Sequence, residues 1–169
     1  DSLLSTACLA ESSASCSVLP PFCITSLPVA GEVITPALTF GTTIGCLVKN
    51  NLIPVFVDVK DDLNIDENKI EEKITKKTKA ILVPNLIGNL PNWKKIKIIA
   101  KKYKLKIIED SADTLGGRIY NKPSGFYSDI SITSFYGSHL ISCAGNGGIF
   151  LTNNKNYFMR AKVLRSWGR

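Results

Sequence analysis

The residues of this chain best suited to chemistry stand just after short apolar runs: Phe40 closes "TPALTF", Asp110 closes "KIIED", Ser134 lies in "SITSF" and His139 follows "SFYGS". His139 is the only histidine among 169 residues. An imidazole titrates near neutral pH, so it could carry a proton during a reaction; it could equally be a hydrogen-bonded histidine in a loop. Asp110 ends a run that reads as a strand buried on both faces, and a carboxylate there needs a partner. Either it caps the next turn, or it faces a cation, for which a protonated pyridine nitrogen would serve. Ser134 and Ser138 could hold phosphate oxygens or form turns. Phe40 could stack on a flat ligand or pack in the core.

The elements that would position these residues alternate along the chain from Gly31 onward. "EVITPA", "IPVFVDV", "AILVPN", "LKIIEDS", "DISITSF" and "GGIFLTN" read as strands, because short apolar runs rich in β-branched residues are bounded by turn formers. Helices are expected from about Thr42 to Asn50, over the amphipathic "DENKIEEKITKKT" with Ile70 and Ile74 one turn apart, over Trp93, Ile96, Ile99, Ala100 and Tyr103, and over the closing "NKNYFMRAKVLRSW". Strands separated by helices imply crossover connections and a mostly parallel sheet covered on both faces. The expected fold class is therefore α/β, a three-layer α/β/α arrangement. Ligands of such sheets bind beyond the carboxyl ends of the strands, which is where Phe40, Asp110, Ser134 and His139 fall.

Bulk properties narrow the field. A hydrophobic content of 44% and a charged content of 21% are those of a globular protein, with no membrane-spanning run. Neither a membrane nor a secretory leader is expected, and the cytoplasm is the default location. The net charge of +7 arises from lysines interleaved with apolar residues at helical spacing, which reads as solvated helix faces and not as a nucleic-acid site. The five cysteines show no metal-ligand spacing, and a single histidine cannot complete a Cys2His2 site, so no metal centre is expected. There is no GxGxxG opening a helix after the first strand and no GxxxxGK[ST]. Residues 1–30 differ in composition from the rest and read as an atypical N-terminal segment. The chain stops directly after a helical pattern, so a part of a larger protein is expected.

Taken together, "GEVITPALTFGTTIGCLVKNNLIPVFVDV", "VPNLIGNLPNW", "IIEDSADTLGG" and "SDISITSFYGSHLISCAGNGGIFLTN" resemble, in order, the DegT/DnrJ/EryC1/StrS family of pyridoxal-phosphate sugar aminotransferases and dehydrases. The resemblance covers residues 31–169 and implies part of the large domain of a fold type I enzyme, with the C-terminal small domain absent from this chain. It implies pyridoxal 5'-phosphate or pyridoxamine 5'-phosphate as cofactor. Asp110 would pair with the pyridine nitrogen, Phe40 would stack on the ring, and Ser134 would hold the phosphate. Asp113 would stand where the family usually has Gln or His beside the ring hydroxyl. The family's first phosphate-binding turn would fall at Ser12 and Ser13, although Glu11 occupies the position expected for glycine.

The same resemblance bears on His139. Most of the family carries a lysine here that links covalently to the cofactor, and His139 cannot make that link. Histidine at this position marks the nucleotide-sugar 3-dehydrases of the family, in which it removes a proton from the pyridoxamine form so that the sugar loses its 3-hydroxyl. In their iron–sulfur branch a cysteine follows the aspartate by two positions; this chain has Ala112, so an iron–sulfur cluster is not expected. The implied activity is 3-dehydration of a nucleotide-linked 4-keto-6-deoxyhexose, in the route to a deoxysugar of lipopolysaccharide or of a secondary metabolite. Alternatives are a nucleotide-sugar aminotransferase of the same family and a non-catalytic cofactor-binding homologue. A homodimer is implied for the full-length protein, with a nucleotide sugar as its small-molecule partner.

Overall fold

The computed structural model describes residues 5–9, 27–137, 139, 141–142 and 147–165. Its strands are β1 (Ser5–Leu9), β2 (Glu32–Pro36), β3 (Ile53–Val57), β4 (Thr78–Pro84), β5 (Lys106–Asp110), β6 (Arg118–Ile119), β7 (Lys122–Pro123), β8 (Ile130–Ser134) and β9 (Gly148–Thr152). Its α-helices are α1 (Gly41–Lys49), α2 (Trp93–Tyr103) and α3 (Lys155–Arg165). A seven-stranded sheet has the order β1-β9-β8-β5-β4-β2-β3, and β6 pairs with β7 in a separate hairpin. The strands β3, β2, β4, β5 and β8 run parallel, whereas β9 is antiparallel to both β8 and β1.

The period-two alternation of the strands divides the apolar residues between two layers. On one face Val33, Leu82, Ile108, Ile132 and Phe150 pack with Cys46 and Leu47 of α1 and Ala161 of α3. On the other, Ile34, Ile81, Val83 and Ile107 pack with Trp93, Ile96, Ile99 and Ala100 of α2. The three-layer α/β/α fold expected from the sequence is thus the fold observed. Helix α2 begins where the Asn92 side chain accepts the Lys95 N–H at 3.0 Å, and it ends at Lys104 in the left-handed conformation, φ 57°. Helix α1 buries Thr43, Cys46 and Leu47, spaced one turn apart, and has no side-chain cap at its start.

Three elements differ from the sequence reading. The segment "DENKIEEKITKKT" forms only a 3-10 turn at Glu71–Lys73, after which Ile74 turns extended, φ −76° and ψ 127°. Side-chain hydrogen bonds compete with the helix at both of its ends: Asp66 accepts the Asn68 N–H at 3.0 Å, and Thr78 accepts the Thr75 N–H at 2.9 Å. Thr75 and Thr78 also both bond the Glu32 carboxylate. The second difference is the β6–β7 hairpin, turned by Tyr120 and Asn121 at φ 49° and 59°. The third is β1, which pairs with β9 and lies inside the first thirty residues.

Candidate active site

Consecutive residues of β5 face opposite layers, since Ile107 and Glu109 point toward α2 and Ile108 and Asp110 toward α1. Asp110 therefore ends its strand under the start of α1, 8% exposed. Its Oδ2 accepts the Thr43 hydroxyl at 3.3 Å, and its Oδ1 accepts the Ala112 N–H at 3.1 Å. No lysine or arginine pairs with it among the described residues. Burial pushes its carboxyl up from 3.8 to about 6; the charge of Asp113 adds to the rise, while the Ala112 and Thr43 donors and the charge of His139 oppose it.

The other predicted residues gather around this carboxylate. Phe40 sits at the N-cap of α1, three residues before Thr43, with its side chain 64% exposed. Ser134 is the last residue of β8. Asp110 pairs with Ile132, so Ser134 lies ~7 Å farther along the neighbouring strand, and its Oγ accepts the Tyr136 N–H at 3.1 Å. His139 follows in the next turn, its N–H donating to the Tyr136 carbonyl at 2.9 Å and its ring edge-on to Tyr136 at 5.7 Å. The His139 Nδ1 is buried and has no hydrogen-bond partner among the described residues. Asp113 is exposed on the turn after β5, and its Oδ2 accepts the Ile87 N–H at 3.3 Å. That bond holds Ile87 at φ 51°, a conformation a β-branched residue rarely adopts. Ser12 and Ser13 lie outside the described residues.

Sequence reasoning missed two participants. Thr43 has no motif signal; only the helix geometry brings its hydroxyl to Asp110. The neighbouring Glu109 is also buried, on the opposite face, and the pairing of two acidic residues in an otherwise apolar strand was the available signal.

The donor set fits the ring of pyridoxal phosphate. A carboxylate raised by burial and lacking a cationic side-chain partner is stabilised by a cation on its open side, and a protonated pyridine nitrogen supplies one. An exposed aromatic ring at the strand end offers a face for stacking. A buried imidazole nitrogen with no partner among the described residues is open to a hydrogen bond with a bound group.

Comparison with known proteins agrees with this reading of the fold and of the cofactor. The profile of the DegT/DnrJ/EryC1/StrS aminotransferase family matches residues 6–169. The chain is 40% identical over 145 residues to the lipopolysaccharide biosynthesis protein RfbH of Salmonella typhimurium, covering 85% of this chain and 33% of RfbH. It is 37% identical over 139 residues to a dTDP-4-dehydro-2,6-dideoxy-D-glucose 3-dehydratase of Saccharopolyspora spinosa, covering 82% of this chain and 30% of that enzyme. Among solved structures, NtdA from Bacillus subtilis with bound cofactor PMP superposes with a TM-score of 0.81 and 31% identity, over 92% of this chain and 35% of that one. The chain spans about a third of the length of these relatives.

Proposed function

This chain belongs to the DegT/DnrJ/EryC1/StrS aminotransferase family, and from that premise we propose that the protein is a pyridoxal- or pyridoxamine-phosphate-dependent enzyme of nucleotide-sugar biosynthesis that removes the 3-hydroxyl of a nucleotide-linked 4-keto-6-deoxyhexose. The observation that carries the reading is His139, which stands where most of the family has its lysine. The similarity to a 3-dehydratase and to a lipopolysaccharide biosynthesis protein supports it, and the PMP-bound relative of the same fold supports the cofactor.

Bound at the strand ends, the cofactor's pyridine ring supplies an electron sink for the carbon that bears its amine. Asp110 would hold the proton on the ring nitrogen, and its burial would strengthen that charge pair. Phe40 would cover one face of the ring and exclude water from it. Ser134 would donate its hydroxyl to the phosphate, and Ser12 and Ser13, outside the described residues, are the further donors that the family resemblance implies. Asp113 would stand beside the ring hydroxyl. His139 would serve as the base that takes a proton from the cofactor's methylene carbon and would return it to the 3-hydroxyl, which leaves as water.

Mass spectrometry of the product tests this. The full-length protein, given pyridoxal phosphate, glutamate and a nucleotide-linked 4-keto-6-deoxyhexose, is expected to yield a sugar lacking the 3-hydroxyl, and H139A is expected to lose that activity. A stable 4-amino sugar would instead make the protein a transaminase, the activity that the family description names. Cofactor binding with turnover of neither kind would make it a non-catalytic homologue.

A further inference from the structure

Glu109 takes no part in the reaction as proposed, yet it is 1% exposed in the core. Its Oε1 accepts the Asn85 side-chain amide at 2.9 Å and the Ser111 hydroxyl at 3.1 Å, and its Oε2 accepts the Gly125 N–H at 2.8 Å. The network continues outward: the Asn85 Nδ2 also reaches the Ser111 Oγ at 2.8 Å, and its Oδ1 accepts the Trp93 indole N–H at 2.8 Å. One carboxylate thus joins the ends of β4 and β5, the loop after β7 and, through Asn85, helix α2. Gly125 itself has φ +86°, and a Cβ there would meet the Ser131 Cβ at 3.2 Å, so the loop that presents its N–H is closely fitted to β8.

Asn85 links this network to Asp110, because its backbone N–H donates to the Asp110 carbonyl at 2.8 Å while its side chain holds Glu109. Asp110's own side-chain contacts are longer, at 3.1 and 3.3 Å. A rotation of the strand end about its axis would move both carboxylates together, and only Glu109 is held firmly enough to resist it. Resting on the cofactor reading of this site, we propose that Glu109 is a positioning residue, which fixes the end of β5 from the α2 face so that Asp110 stays aimed at the ring nitrogen on the α1 face.

The test compares the full-length protein with E109Q, measuring the dissociation constant for pyridoxal phosphate and the pH at which the bound cofactor's absorbance changes. A glutamine must turn its amide N–H groups toward either the Gly125 N–H or the Asn85 and Ser111 donors, so a donor faces a donor. E109Q is expected to bind the cofactor roughly tenfold more weakly, the scale of losing an outer partner of a ligand-holding group, and its absorbance change is expected at lower pH because the ring nitrogen keeps its proton less well. S111A, which removes the Ser111 hydroxyl and spares the Asn85 and Gly125 donors to Glu109, should show the same two changes at about twofold to threefold in affinity, and it serves if E109Q does not fold. I96V, in the same core layer but outside the network, should lower the melting temperature and leave both cofactor readouts in place. Unchanged affinity and an unchanged absorbance titration in E109Q or S111A would overturn the inference, whatever their melting temperatures. Failure of the wild-type protein to bind the cofactor would instead overturn the functional reading on which the inference rests.

Discussion

Glu109 and Asp110 are adjacent in sequence, end the same strand and are both buried, yet their environments are opposite. On the α2 face every oxygen of Glu109 meets a donor within 3.1 Å. On the α1 face Asp110 has two weaker donors, a carboxyl pushed up to about 6 by burial, and beside it an exposed Phe40 and a His139 nitrogen with no partner among the described residues. The first carboxylate is stabilised by the fold alone. The second is left short of a counter-charge, which is the condition of a site prepared for a cationic ligand at a cost in stability.

The largest effect expected from breaking this contrast is at Asp110. D110N removes the charge that faces the ring nitrogen and should weaken pyridoxal-phosphate binding about 100-fold, on the scale of a hydrogen bond to a charged group, as read by absorbance titration. In the cofactor-free protein the same variant should be stabilising at neutral pH. Asp110's folded pKa lies above its ordinary value, so the native state retains a proton that the unfolded chain has lost. Stability from this group is therefore present below 3.8 and lost as pH rises through about 6. At pH 7 the loss is about 2–3 kcal/mol. Denaturant melts of the cofactor-free wild type should record that decline between pH 4 and 7, and those of D110N should not.

A smaller effect is expected at Thr43. T43V deletes the hydroxyl that donates to Asp110 at 3.3 Å, which should raise the Asp110 carboxyl further and lower stability at pH 7 by about 1 kcal/mol, with cofactor affinity falling a few-fold. The smallest effect should come from D113N. It removes a negative charge whose influence raises Asp110, so the pH window of the stability decline should move downward. Because Asp113 is exposed, the change in stability itself should stay below about 0.5 kcal/mol.

The sheet and the place of the site were legible because both rest on local pattern. Apolar runs marked each of the strands from β2 to β5 and β8 to β9, and Phe40, Asp110 and Ser134 could be read as strand-end residues without knowing the fold. What depended on partners distant in sequence was not legible. Glu109 is satisfied by Asn85 and Gly125, which lie 24 and 16 residues away, and nothing in "KIIED" distinguishes it from Asp110. Thr43 reads as an ordinary helical residue until the packing of α1 over β5 brings it to the carboxylate. The segment 66–78 carried a helical spacing, but Asp66, Thr75 and Thr78 offered its backbone competing bonds.

The most direct test of the account is whether the full-length protein holds its cofactor without a covalent link. Pyridoxal phosphate is bound, the complex is reduced with borohydride, and the intact mass and peptide map are recorded. The account predicts cofactor absorbance in the complex with no stoichiometric adduct after reduction, and an adduct appearing at position 139 in H139K. A stoichiometric adduct on a lysine of the wild-type protein would contradict it, because another residue would then do what His139 cannot.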